Sequence, residues 1–438
     1  SSFLIQSVLP ELKTEIPGPE SKRLAGELRH YESQNLTYVS DGFPVFWERA
    51  EGANVWDVDG NCLLDLNGGF GVATVGYGAP HLVETFQQQA ESLYHGMGDV
   101  HPSRLKVEVC RALSEVTFER WTGQAGKTIL GCAGFEAVEA ALKTARFATG
   151  KPGVLAFRGG YHGLGYGAMT ATGMNAFRRP FLDQIQEFVS FTDYPTAADA
   201  GNETTFESAI VSALEEADAG AILVEPIQGR GGEIIPPGWF LPLLRRLADE
   251  HQAVLILDEI YSGFFRSSKW FACDHVGVVP DLLCVGKGLS GSYPISACVG
   301  KAAVMDAWPE SEGEAIHTST FLGNPMGCAL ALASIQLWKA GNWEEKIAGM
   351  SAMWKKVLSE LEMLDAVQEM RGVGLLFGLE LKERGAAVEL IEPALREGLI
   401  LLPAGEQGNV LSIKPSVVHT PEEAAFAVGV LKRLIENT

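Results

Sequence analysis

Short apolar runs and amphipathic stretches take turns through the middle of this chain. The runs at 128–132, 154–157, 221–224, 254–257 and 282–285 are bounded by glycine, proline or charge and are too short for helices. They read as strands buried on both faces. Between them, "EAVEAALKTARFA" and "LPLLRRLADEHQ" place apolar residues at helical spacing. From about 104 to 300 this alternation predicts a mostly parallel sheet covered by helices, an α/β fold. Upstream, 1–45 is polar and broken by Pro and Gly, which reads as an arm lying on a partner or on the core, and "VWDVDGNCLLDLNGGFG" alternates about an Asp-Gly turn, a hairpin signature. Beyond Asn324-Pro325 a helical stretch, "RGVGLLFGLELK", a further helix and "NVLSIKP" give an α+β pattern. The expected organisation is an arm and hairpin at 1–75 that form part of a smaller domain, a large domain at 76–325, and the rest of the small α+β domain at 326–438. No internal repeat or low-complexity tract interrupts it.

Composition narrows the partners. With 438 residues and 46% hydrophobic content the chain can bury a large core. A formal net charge of −21 argues against nonspecific binding to nucleic acid or to anionic membranes, both of which need basic patches, and leaves small molecules as the expected partners. Seven scattered cysteines without a CxxC pair read as reduced thiols of a cytoplasmic protein. The histidines form no metal-binding spacing, so no metal is expected. No segment reaches the roughly 18 apolar residues of a membrane span, and the first residues show neither the basic nor the apolar region of a secretory leader.

In open α/β sheets ligands bind beyond the carboxyl ends of the strands, so the residues after each run matter most. "GCAGFEAVEAALKTAR" passes from a strand through Gly134 into a helix, either a simple turn or an anion site. "RGGYHGLGYG" sets Tyr161 and His162 between glycines, where an aromatic ring either stacks on a planar ligand or decorates a loop. "AILVEPIQG" ends at Glu225. In "LILDEI", Asp258 and Glu259 stand directly behind a buried run with no basic neighbour in sequence, and a protonated heterocyclic nitrogen would satisfy such a carboxylate. "DLLCVGKGLSG" ends at Lys287 between two glycines; it is either solvated or desolvated, with a lowered pKa that suits a Schiff-base nucleophile. Phosphate cradle, ring stack, carboxylate and lysine together match the needs of pyridoxal phosphate.

In their order these motifs, with "TFLGNP" and "RGVGLLFGLEL" further on, closely resemble those of the class III, ω-amino acid type aminotransferases of the type I pyridoxal-phosphate fold. The resemblance implies pyridoxal 5'-phosphate as cofactor and a transaminase that moves an amino group from an amine or ω/β-amino acid to a small keto acid such as pyruvate. It implies Lys287 as the lysine that binds the cofactor and shuttles the proton, and Asp258 as the partner of the ring nitrogen. Tyr161 and Ile260 would cover the two ring faces, while Gly134, Phe135 and Glu136 would hold the phosphate. His162, Glu225 and Tyr261 would complete the cofactor site, and Thr320 would reach the phosphate of a neighbouring subunit, which implies a homodimer. Phe70, Leu164 and Arg230 are expected to face substrate.

Several positions depart from the family pattern. Phe135 stands where Ser or Thr is usual. Tyr261 replaces a common Gln, so its hydroxyl either takes over that donor's place or points elsewhere. Leu164 stands where members that handle a distal carboxylate carry Arg, which argues against a specialist for ornithine derivatives or 4-aminobutyrate. Arg230 and Ser412 occupy positions where many members have an acid and an Arg; either the cation has crossed the pocket or Arg230 is a solvated loop residue. The same scaffold also hosts aminomutases of the glutamate-1-semialdehyde type, racemases and decarboxylases. A catalytically idle dimeric relative is a further alternative, against which the presence of Lys287 and Asp258 speaks.

Overall fold

The computed structural model describes residues 7–185 and 187–437. They divide into two compact units, Ser1–Pro80 with Lys346–Thr438, and His81–Glu345. The later boundary falls beyond the expected 325 because the helix Pro325–Ala340 packs along the helix Arg104–Val116 of the larger unit.

The larger unit is built on seven strands: β1 (Gly126–Gly131), β2 (Gly153–Phe157), β3 (Val189–Thr192), β4 (Ala219–Val224), β5 (Val254–Asp258), β6 (Leu282–Val285) and β7 (Ser296–Lys301). Their order across the sheet is β1-β7-β6-β5-β4-β2-β3. The run from β6 to β3 is parallel throughout, and β7 is antiparallel to both β6 and β1. Two reversals restore the direction, so β1 runs with the parallel set. The carboxyl ends of β1, β2, β4, β5 and β6 therefore lie on one edge, where Gly134, Tyr161, Glu225, Asp258 and Lys287 follow them.

Residues of β4, β5 and β6 are buried along their whole length, as two covered faces require. The helix Gly134–Thr149 supplies one cover; its inward face is mainly alanine, with Val138 and Leu142, which lets it lie close to the strands. Sequence patterning did not mark β3 or β7. The first is short and only half-buried, and the small residues of Ser-Ala-Cys-Val-Gly-Lys in the second carry no alternation.

In the smaller unit Asn54–Asp57 and Cys62–Asp65 form the expected hairpin, and Leu399–Ile400 adds to it in parallel. A second, antiparallel sheet comprises Val367–Val373, Leu376–Leu381, Val410–Ile413 and Leu402–Ala404, with Ala386–Arg396 and Pro421–Glu436 as its helices. The expected arm contains the helix Pro19–Tyr31, which begins where Asp59 accepts the N–H groups of Glu20 and Ser21 at 2.8 and 2.9 Å. All seven cysteines are free. Among the described residues no helix is long and apolar enough to cross a membrane, and no cluster of His, Cys, Asp or Glu would hold a metal ion.

Glu259 anchors the segment that follows β5. It is fully buried and accepts from the Ser262 hydroxyl at 2.6 Å and from the Ala272 and Cys273 N–H groups, each at 2.8 Å. Burial pushes its pKa up to about 7 against the pull of these three donors. A glutamine there has one acceptor oxygen for three donors. Glu259→Gln should lower the stability of the cofactor-free protein by roughly 1–3 kcal/mol, read from urea denaturation at pH 8. An unchanged midpoint would show that residues 260–273 are held by other contacts.

Candidate active site

Lys287 follows β6 through Gly286 in a left-handed backbone conformation, φ 41°, uncommon for a residue with a side chain. Its side chain remains partly open, while its Nζ lies 4.5 Å from the centroid of the Tyr261 ring. Burial of the amine brings its pKa down to about 8, opposed by the negative charges of Asp258, Glu225 and Glu233 and reinforced by Arg230. Asp258 and Glu225, which the sequence placed behind separate strands, are thus brought within electrostatic range of one amine, together with Arg230 and Glu233 from the loop after β4.

Asp258 is buried at the end of β5, with Oδ1 accepting the Ile260 N–H at 3.1 Å and Oδ2 2.8 Å from Nδ1 of His162. His162 is also buried, and its own N–H donates to the Thr172 hydroxyl at 3.0 Å. The sequence assigned His162 to the cofactor without seeing this pair, because 96 residues separate the partners. Glu225 is buried as well and accepts the N–H groups of Tyr161 and Gly229 at 2.8 and 3.2 Å. Burial pushes its pKa up to about 7, with His162 opposing and Asp258 adding to the rise. Glu225 thus fixes the backbone of two loops, those carrying Tyr161 and Arg230.

At the start of the helix Gly134–Thr149, the Glu136 carboxylate accepts the N–H of Cys132 and, at 3.0 Å, that of Ala133. The Glu136 N–H itself donates to the Ala133 carbonyl at 3.1 Å. Ser296 on β7 holds the same carbonyl at 2.7 Å. Gly134 faces Ile260, and a Cβ on it would come within 3.2 Å of that side chain. Phe135 is exposed beside it.

Tyr161 is half-buried and packs edge-on against Phe177 at 5.4 Å. The Arg230 guanidinium lies 5.5 Å from the Tyr161 ring centroid and 5.7 Å from that of Phe177. Among the described residues Arg230 makes no hydrogen bond or ion pair. Phe177 was not anticipated; an isolated aromatic in "GMNAFRRP" gives no signal for it. Nor was Glu233, which is buried with φ 53° and accepts the Tyr261 hydroxyl at 2.5 Å. The Tyr261 hydroxyl thus points to Glu233.

The remaining candidates lie farther out. Leu164 is exposed, between Gly163 and Gly165. Thr320 is exposed, next to the exposed Phe321, whose ring lies against His95 at 5.4 Å. Phe70 and Ser412 belong to the smaller unit. Phe70 is 63% exposed at φ 62°, on a turn whose amides at residues 67, 68 and 69 donate to Asp65. Ser412 is buried and accepts from Lys414 Nζ at 2.9 Å, so a cation stands two residues from the position that lacks Arg.

The family model for class-III aminotransferases matches residues 37–435. The acetylornithine aminotransferase of Methanopyrus kandleri is 36% identical over 77% of this chain and 81% of its own length. The 4-aminobutyrate aminotransferase of Mycobacterium leprae is 32% identical over 97% of this chain and 98% of its own. A solved amine transaminase from an uncultivated Pseudomonas species, in a form with pyridoxal phosphate bound, superposes with a TM-score of 0.83 at 25% identity, covering 93% of this chain and 98% of that one. With a parallel-rich sheet that brings a desolvated lysine and a buried carboxylate to one edge, and with a family match over nearly its whole length, this chain belongs to the class-III aminotransferases, enzymes of the type I fold that use pyridoxal 5'-phosphate.

Proposed function

We propose that this enzyme takes an amino group from an amine or an ω/β-amino acid and delivers it to a small keto acid such as pyruvate, working as a cytoplasmic homodimer. The observation that carries the keto acid assignment is Arg230, whose guanidinium is held against two aromatic rings with no carboxylate partner among the described residues, close enough for its charge to be felt at Lys287. A planar fork of N–H donors in that setting matches a substrate carboxylate.

The donor set fits the cofactor. It offers one desolvated amine, a buried carboxylate already oriented by His162, an aromatic ring and an isoleucine for two faces, and backbone N–H groups at a helix start. When bound, pyridoxal phosphate supplies an electron sink for the carbanion left by proton removal. Lys287 would carry it and afterwards take up and return the substrate proton, a role suited by a pKa near neutrality. Asp258 would hold the ring N–H, with His162 fixing the carboxylate's orientation. Tyr161 and Ile260 would enclose the ring. The amides of Gly134 and Phe135 would receive the phosphate, while Glu136, its own amide engaged, shapes the turn. Thr320, exposed beside Phe321, would serve the partner subunit's site, the basis for the homodimer. Within that range of donors Leu164, apolar and exposed at the loop after Tyr161, favours an amine over donors with a distal carboxylate, such as the substrates named for the two curated relatives.

Borohydride reduction of the holoenzyme should fix the cofactor on Lys287, as read by peptide mapping. Label on Lys269 or Lys301 would overturn the assignment. Arg230→Ala should weaken the half-reaction with pyruvate or alanine by about 1.5–3 kcal/mol while leaving a donor amine without a carboxylate almost unaffected, in single-turnover measurements of each half-reaction. Equal losses for both substrates would place Arg230 in general support of the loop. Net transfer of the amino group to pyruvate separates a transaminase from an aminomutase or racemase, which needs no second substrate.

A further inference from the structure

Glu233 has no part in the roles above, yet it is a buried acid beside the reactive amine. It stands on a tight turn in which Gln228 and Ile234 pair across and the N–H groups of Gly232 and Glu233 both donate to the Gly229 carbonyl. The turn thereby carries both the exposed Arg230 and the buried Glu233, whose charges both act on Lys287. The Tyr261 ring is fixed by this same turn twice. Its hydroxyl donates to Glu233 Oε1 at 2.5 Å, and its edge lies so close to Gly229 that a Cβ there would be 2.6 Å from the ring carbons. The ring face meets Lys287 Nζ at 4.5 Å, within range of a cation–π contact.

We propose that Glu233 and Tyr261 act as one positioning unit for Lys287: the carboxylate locks the phenol ring, and the ring face receives the lysine's ammonium group whenever the lysine is not bonded to the cofactor. The unit parks the amine in a defined place between proton removal and proton return. It also favours the ammonium form, through the ring quadrupole and the charge of Glu233. Asp258 and Glu225, from the ends of β5 and β4, act in the same sense, and Arg230 acts against it. The inference rests on the reading of Lys287 as the cofactor-bearing lysine.

The test uses holoenzyme reconstituted with pyridoxamine 5'-phosphate, which leaves Lys287 unbonded. Competitive labelling with acetic anhydride, quantified on the Lys287 peptide by mass spectrometry, follows the free amine as a function of pH. In Glu233→Gln and in Tyr261→Leu the ammonium form loses support, so Lys287 should label about threefold faster at pH 7, with the ratio to wild type returning to one at pH 10. The double variant should show less than the product of the two single effects, because groups that act through each other are not additive. Tyr261→Phe, which deletes one oxygen and keeps the packing, should shift labelling in the same direction, since a buried carboxylate deprived of its donor holds its proton more readily.

Unchanged labelling at pH 7 would overturn the proposal. So would a ratio that persists at pH 10, which reports altered access and not altered protonation, and so would single effects that multiply in the double variant. Borohydride label on another lysine in the wild-type holoenzyme would instead overturn the reading of Lys287 itself.

Discussion

The arrangement depends on the cost of burying acids behind apolar strands. Asp258, Glu259 and Glu225 all follow strands whose residues are buried, and each has its own solution. Glu259 turns away into the 260–273 segment and is satisfied by three donors there. Glu225 spends its oxygens on two loop amides. Asp258 has His162 and a single backbone N–H. Glu225 and Asp258 also act on each other, and the amine of Lys287 is the cationic group set among the charges of Asp258, Glu225 and Glu233. A lysine thus placed is desolvated and yet electrostatically supported, which is the balance that brings its pKa down without abolishing its charge.

Legibility in the sequence followed the distance over which each signal acts. Strands buried on both faces announce themselves within five residues, so β2, β4, β5 and β6 could be read directly with the side chains behind them, and the half-buried β1 from its short apolar end. β7 could not, because Ser, Ala, Cys and Gly pack as well as larger residues where a helix approaches closely but leave no hydrophobic pattern. The helix at Pro19–Tyr31 was hidden in a polar segment, where its start signals were a proline, Glu20 in the first turn and an acid at residue 59. Within the site the same rule held. Lys287 and Asp258 were visible from their own neighbours, whereas the His162–Asp258 and Glu233–Tyr261 contacts join residues 96 and 28 positions apart.

Family resemblance carried the positions that matched and left undecided those that did not. At Tyr261 and Arg230 the structure shows a hydroxyl directed at an acid and an exposed guanidinium beside two rings. Ser412 is a different case. Its loss of the family's arginine looks like a vacancy in the sequence, but Lys414 bonds to its hydroxyl, so the strand Val410–Ile413 still ends beside a cation.

The smaller unit is assembled from both ends of the chain. The strand Cys62–Asp65 finds its parallel neighbour at Leu399–Ile400, and Val8 donates its N–H to Glu423 at 3.0 Å. On the ribosome the first eighty residues emerge long before those partners exist. Val55, Leu63, Leu64 and Leu66, all fully buried in the finished protein, then wait as exposed apolar surface while the continuous segment His81–Glu345 can already close on itself. Synthesis therefore supplies every strand of the lysine-bearing sheet before it supplies the last neighbour of the hairpin that precedes that sheet in sequence.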